Sequence, residues 1–268
     1  MKTRRAIVWL IIAFVALAAV ALLYPKSPVY FSTFLSNEGE HDGHSTRYWM
    51  REMKSADDET RWRAIFSLGA IGPKAGDAVP DLAKILHEHP DGRTRSEAAL
   101  ALSKMAPASK PAVPALADAL SDKDYIVRWN AAMALFQLRS EARPAVPALI
   151  NAVKDQSNKT NMGAFPSTIH DVAALALGRA SAGTPDAVPV LVEALKNAEA
   201  PEARIALTRA LGEVGPEAKA GVPQLRLMCK DIDHWVRESA VDSLRKIEGS
   251  AAEPAEKDAA AAPGGSDS

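Results

Sequence analysis

Three short stretches carry side chains able to do chemistry. Glu40-His41-Asp42-Gly43-His44 sets imidazoles beside carboxylates, the donor types of a divalent-metal patch, and His87-Glu88-His89 holds three successive ligand types for a mononuclear metal. Cys229 is the only thiol of the chain. None of the three forms a convincing centre. The first lies in a stretch broken by Pro25, Pro28, Gly39 and Gly43, so it reads as a solvated segment, and the second falls at a helix end just before Pro90. A lone cysteine makes no intramolecular disulfide, and Cys229 takes the place that Leu86, Leu120, Val153 and Leu195 hold elsewhere, which marks it as a small buried hydrophobe. No nucleophile with a paired base, phosphate-binding glycine loop or dinucleotide fingerprint is present. The reading is a chain with no catalytic residue, no metal and no cofactor.

A different combination recurs with a fixed period. Asp57, Asp91, Asp124 and Asp233 each precede an arginine by four residues, at Arg61, Arg95, Arg128 and Arg237. An aspartate there caps a helix start and can pair with the arginine one turn on. The same register continues at His170 and Arg204, and a leucine follows seven residues after each, from Leu68 to Leu244. Eighteen residues after the first five of these basic positions comes a second phrase: AVPDL at Ala78, AVPAL at Ala112 and Ala145, AVPVL at Ala187 and GVPQL at Gly221. Their valines, Val79, Val113, Val146, Val188 and Val222, fall 34, 33, 42 and 34 residues apart, a period of helical solenoids. Prolines from Pro80 to Pro223 sit in opening turns, where the missing N–H costs nothing.

The elements that must position these residues are therefore helix pairs near 45–55 and 58–71, 77–88 and 92–105, 111–121 and 124–139, 145–155 and 167–180, 186–197 and 201–214, and 218–230 and 233–247. Ser45 is the expected cap of the first, in which Trp49 and Met53 replace the Leu82 and Leu86 of the next copy. The long spacing reflects eight extra residues in the loop around 154–167, with Asn158, Met162 and Phe165. Such an insertion marks either a tolerated solvated loop or a binding edge.

The 268 residues, 47% apolar and 24% charged, supply one ordered array and flanking segments. A net charge of −1 argues against a general nucleic-acid binder. Lys2, Arg4 and Arg5 (residues 1–5, cytoplasmic) precede an uncharged run over 6–24, about 28 Å as a helix, which fits an uncleaved membrane anchor. A cleaved signal peptide is the alternative, since Ala16-Leu17-Ala18 and Ala19-Val20-Ala21 have the small-x-small pattern, though both lie inside the run. Either way the remainder is expected on the extracytoplasmic or periplasmic side of a bacterial-type inner membrane, as a single-pass protein. Residues 25–44 read as a linker whose Val29, Tyr30, Phe31, Phe34 and Leu35 lie at the membrane interface or cover the first repeat. The repeat domain spans 45–248, and 249–268 has a disordered composition.

The pairing of AVPxL first helices with second helices such as Arg128-Trp129-Asn130-Ala131-Ala132-Met133-Ala134-Leu135 resembles the HEAT repeats of the phycobilisome-lyase-like type. The resemblance implies an all-α, right-handed α-solenoid of about six helical hairpins, and a concave scaffold for another protein rather than an enzyme. Enzymes of this repeat class are poorly matched. The di-iron hydroxylases need several His-Glu pairs, the phycobilin lyases act on soluble cytoplasmic subunits, and the DNA glycosylases need a basic concave face.

Numbering each second helix from its basic residue, positions +1, +5 and +8 point away from the core arc. They are apolar where a solvated face would be polar: Trp62, Phe66 and Gly69, then Leu100 between Ser96 and Ser103, then Trp129, Met133 and Phe136, then Leu175 between Asp171 and Gly178. The fifth copy mixes Ile205 with Arg209, and the sixth is charged throughout, with Glu238, Asp242 and Arg245. Trp62, Phe66, Leu100, Trp129, Met133, Phe136 and Leu175 are the candidate protein-binding residues, suited to a peptide or helix. The alternative is that the +5 residues pack between repeats, whereas Trp62 and Trp129 are expected to be exposed. Two further functions are carried forward: a lyase- or chaperone-like action on a cofactor-bearing partner, and a structural envelope component.

Overall fold

A computed structural model describes residues 39–159 and 168–249. The expected anchor over 6–24, most of the linker, the tail beyond Gly249 and much of the inserted loop lie outside these residues. Among the described residues no helix is long and apolar enough to cross a membrane.

The chain forms six helix pairs: α1 (Thr46–Glu52) with α2 (Asp58–Ile71), α3 (Val79–Glu88) with α4 (Gly92–Lys104), α5 (Val113–Ala119) with α6 (Tyr125–Leu138), α7 (Val146–Lys154) with α8 (Ile169–Ala180), α9 (Val188–Lys196) with α10 (Pro201–Val214), and α11 (Val222–Met228) with α12 (His234–Glu248). The first helices are shorter than the sequence periodicity suggests. Four of the five that follow a second helix are entered through 3-10 turns, over Gly72–Ala78, Lys110–Ala112, Arg139–Ala145 and Gly215–Gly221. Gly72 and Gly215 end α2 and α10 at φ 72° and 83°, and Arg139 takes the equivalent place after α6 at φ 53°.

The five-residue phrase works as a plug. Its proline occupies the first turn, and the leucines Leu82, Leu116, Leu149, Leu191 and Leu225 are completely buried. The second-helix leucines Leu68, Leu102, Leu135, Leu177 and Leu211 meet them in one continuous core. Each such burial contributes roughly 2 kcal/mol. Cys229 is half-buried rather than buried, and its partial burial pushes the thiol up from its ordinary value.

Second helices pack on one another far more extensively than first helices do. They form the tighter, inner layer, and the outer first helices splay, which curves the stack. Close approach is secured by glycine at +8. A Cβ on Gly178 would lie 2.3 Å from the Ala210 carbonyl oxygen, and one on Gly69 3.0 Å from Ala101 Cα. Gly69 and Gly178 are therefore buried against the following second helix, and do not point outward as the helical wheel suggests. A helix in a solenoid has neighbours on three sides, which widens its buried arc.

The aspartates cap as expected. Asp57, Asp91, Asp124 and Asp233 accept from first-turn N–H groups of α2, α4, α6 and α12. Their expected pairing with the arginine four residues on is corrected. The caps are engaged with backbone, and the arginines lean toward the helix N-terminus, past their own caps. Nη1 of Arg61, Arg95, Arg128 and Arg237 donates to the carbonyl six residues earlier, of Ser55, His89, Asp122 and Asp231 respectively. Arg95 then reaches Asp122 of the next repeat through two 2.8 Å bonds, Arg204 reaches Asp231 at 2.8 and 3.1 Å, and Arg128 reaches Asn158 at 3.2 Å. Asp122 and Asp231 each also accept the N–H two residues on, from Asp124 and Asp233. These rungs tie the second repeat to the third, the third to the fourth and the fifth to the sixth.

At the N-terminal end a two-strand hairpin, β1 (Glu40–His41) and β2 (His44–Ser45), covers the first repeat. Trp49 is buried beneath it, its Nε1 donating to the His41 carbonyl at 3.1 Å, and Met53 is buried in the core at the other end of α1. Ser45 has the extended backbone of a cap, but its hydroxyl caps nothing, so that expectation is corrected; Thr46 instead donates its N–H and hydroxyl to the Gly39 carbonyl.

Two outcomes follow from this packing. Gly178→Ala is expected to lower stability by about 1–3 kcal/mol in urea titration, because the backbone of α10 must move aside. Burial pushes the Asp122 carboxyl up, but the Arg95 guanidinium and the Asp124 N–H outweigh it and hold the group below the usual carboxylate range. Its contribution is therefore present above the unfolded value near 3.9 and lost as pH falls through the lower folded value. Asp122→Asn is expected to cost about 3 kcal/mol at neutral pH. It should also flatten the fall in stability below about pH 4, measured by urea titration across pH.

Candidate protein-binding face

All seven residues singled out on the sequence lie on the inner layer, and each is at least partly accessible. At +5, Phe66 of α2 is 49% exposed, while Leu100, Met133 and Leu175 of α4, α6 and α8 are half-buried. At +1, Trp62 and Trp129 are half-buried rather than exposed, Trp62 in the seam between α2 and α4 and Trp129 against the core, because neighbouring helices widen the buried arc. Phe136 at +8 of α6 is half-buried, and it packs with Trp129 and Met133 against the core.

The seam residues are fixed by neighbours in sequence-distant helices. Trp62 Nε1 donates to Thr94 Oγ1 at 2.9 Å, and Thr94 donates to the Asp91 cap at 2.7 Å. The Thr94 hydroxyl and N–H hold the Asp91 carboxyl below its usual range, so the cap is a firm acceptor for the chain that orients the indole. Between α4 and α6, Asn130 Nδ2 donates to the Ser96 carbonyl at 3.2 Å and to its hydroxyl at 3.0 Å.

Cations lie over the aromatic faces. The Arg93 guanidinium sits 3.5 Å from the Trp62 ring centroid, Lys104 Nζ 4.9 Å from Phe66, and Arg179 3.7 Å from Phe136. Such contacts are worth about 0.5–1 kcal/mol at exposed sites. The strip is thus an alternation of apolar side chains and cationic lids rather than a bare apolar stripe. Arg179 continues into a polar end of the face, bridging to Glu213 at 3.4 Å, and Glu213 bridges to Lys246 at 2.8 Å. Burial pushes the Glu213 carboxyl up, and Lys246 and Arg179 outweigh it, leaving it lowered.

The sequence reading missed the lids because they stand at −2 and +9 of the second helices, outside the columns it counted. Tabulating +9 as well, where Lys104, Gln137, Arg179, Glu213 and Lys246 fall, would have found most of them. The histidine stretches do not assemble into a centre. His41 lies edge-on to Phe66 and His44 stacks on Tyr48, and among the described residues no group of three or more His, Cys, Asp or Glu is placed to hold a metal.

A family model for HEAT repeats matches residues 47–135, 169–245 and 188–262, and one for the PBS lyase HEAT-like repeat matches 127–155. The chain belongs to the HEAT repeat family. No curated protein matches this HEAT-repeat chain. Among solved structures it is similar to the complex of CpcE and CpcF of phycocyanin lyase from Nostoc sp. PCC7120, at 23% identity and TM-score 0.56, over 84% of this chain and 80% of that one. An engineered protein matches at 25% identity and TM-score 0.57, over 76% and 96% of the two chains. A designed armadillo repeat protein in complex with the peptide (KR)4 matches at 15% identity and TM-score 0.57, over 75% and 98%. These likenesses extend the HEAT-repeat assignment to a wider class of helical solenoids. They are likenesses of fold.

Proposed function

We propose that this HEAT-repeat protein is a non-catalytic scaffold that binds another protein through the inner face of its first four repeats, tethered to the membrane by residues 6–24 with the repeats on the extracytoplasmic side. The observation that carries the reading is the continuity of the face. Trp62, Phe66, Leu100, Met133, Phe136 and Leu175 run across four consecutive second helices without burying fully, although a monomer gains by burying such residues. Aromatic side chains held in a fixed orientation make low-entropy anchors for a partner, and half-exposed rings with cationic lids offer both apolar contact and charge. Two of the similar solved structures are themselves complexes, one of CpcE with CpcF and one of a designed repeat protein with a peptide. Both are consistent with a binding role, and neither names a partner for this chain. The tether rests on the charge and apolarity of residues 2–24.

The test is capture of partners from solubilised membranes by the full chain and by a Phe66→Asp, Met133→Asp variant whose circular dichroism and melting temperature match the parent. A protein retained by the parent and depleted about tenfold or more by the variant is the expected result. Equal retention by both would remove the inner face as the binding surface.

A further inference from the structure

The loop before α10 lacks the side-chain acceptors that the loops before α2, α4, α6 and α12 carry. At −6, the residues before α2, α4, α6 and α12, namely Ser55, His89, Asp122 and Asp231, each accept the N–H two residues on, and the two carboxylates among them, Asp122 and Asp231, also accept from the previous repeat's arginine. A carboxylate at −4 caps the helix, at Asp57, Asp91, Asp124 and Asp233. Before α10 both are alanines, Ala198 and Ala200. No side chain caps α10, and its first backbone bond from within the helix runs from Arg204 N–H to the Ala200 carbonyl.

The previous repeat's rung residue is also changed, to His170. It is 2% exposed, with Nδ1 3.3 Å from Asp171 Oδ1 and Nε2 buried without a hydrogen-bond partner. The Asp171 carboxylate also accepts from the Thr168 N–H at 3.0 Å, so it is occupied with the start of α8. His170 and the first turn of α10 wall the same cavity, of about 580 Å³, with Lys159 also on its lining. The cavity therefore lies where Asp122 and Asp124 sit before α6 and Asp231 and Asp233 before α12, and it is faced by a buried imidazole nitrogen and an uncapped helix start.

The geometry points to an anion site in this cavity that takes a carboxylate-bearing ligand, whose oxygens stand in for the absent side chains at 198 and 200. One oxygen would accept a hydrogen bond from His170 Nε2, as Asp122 accepts from Arg95. The other would accept from the first N–H groups of α10, as the aspartate caps do in cis. Glu199 and Glu202 are exposed at the rim and set the limit on affinity. They favour a single carboxylate over a highly charged ligand.

Ala200 provides the decisive variant. Its backbone, φ −76° and ψ 138°, lies beside that of the Asp57 cap at φ −76° and ψ 122°, so Ala200→Asp can place a carboxylate on α10 without rearrangement. The full chain, isotopically labelled and held in detergent, is titrated with acetate, succinate and inorganic phosphate while the amides of Ala200, Glu202 and Ala203 and the His170 ring nitrogens are followed by NMR. Saturable shifts of this group with acetate and succinate are expected. Ala200→Asp should weaken them about tenfold or more and raise the melting temperature, and Ala198→Asp should weaken them independently. Three results would each overturn the site: shifts that grow linearly without saturating, equal binding by both variants, or saturable shifts only with N-acetylarginine amide. Tighter binding of phosphate than of acetate would overturn the choice of carboxylate.

Discussion

Everything in this structure depends on how closely the second helices approach one another. Gly178 lies against the backbone of α10, Gly69 against α4, and Gly212 against Ser243 of α12, so the inner layer is drawn tight and the outer layer opens. That approach is what gives the array an inner face at all. It brings Arg95 within reach of Asp122 and Arg204 within reach of Asp231, and it lays Arg93 over Trp62 and Arg179 over Phe136. A repeat on its own would have none of these contacts, since every partner lies one repeat away. Cohesion is a nearest-neighbour property, as expected of a quasi-one-dimensional fold.

Much of this was legible in the sequence, and the boundary of what was legible has a physical origin. The AVPxL phrase, the leucine seven residues after each basic position and the aspartate caps are local signals. Each acts within its own helix pair, and the six copies reinforce one another. The elements came out in order for that reason. Interactions between copies left weaker marks. Asp122 reads as an ordinary loop residue until Arg95, 27 residues away, is known to reach it. Gly69 and Gly178 sit on the side of the wheel opposite the core, and only the presence of a third neighbour buries them. The cationic lids belong to the same class, because Lys104 meets Phe66 across a seam that a single-helix projection does not contain. Residues 39–44 read as linker because nothing in their own composition shows the Trp49 and Thr46 side chains that bind their carbonyls.

The candidate face is the surface this packing leaves over. Positions that could be buried by a third neighbour are buried. What remains open at +5 is Phe66, Leu100, Met133 and Leu175 in the first four repeats, and Arg209 and Asp242 in the last two. The face is therefore graded along the array, apolar with cationic lids at one end and ion-paired at the other. A solenoid stabilised by neighbour contacts has no need of apolar groups at these open positions, so a binding role accounts for them more simply than stability does.

The measurement that tests this account most directly is site-specific photocrosslinking in membranes. A benzophenone amino acid is placed at Phe66 on the inner face, and in a separate protein at Lys84 on the outer helix α3. The account predicts a discrete crosslinked partner from position 66 and none from position 84. Crosslinks from position 84 alone, or the same adducts from both, would contradict the assignment of the inner face as the binding surface.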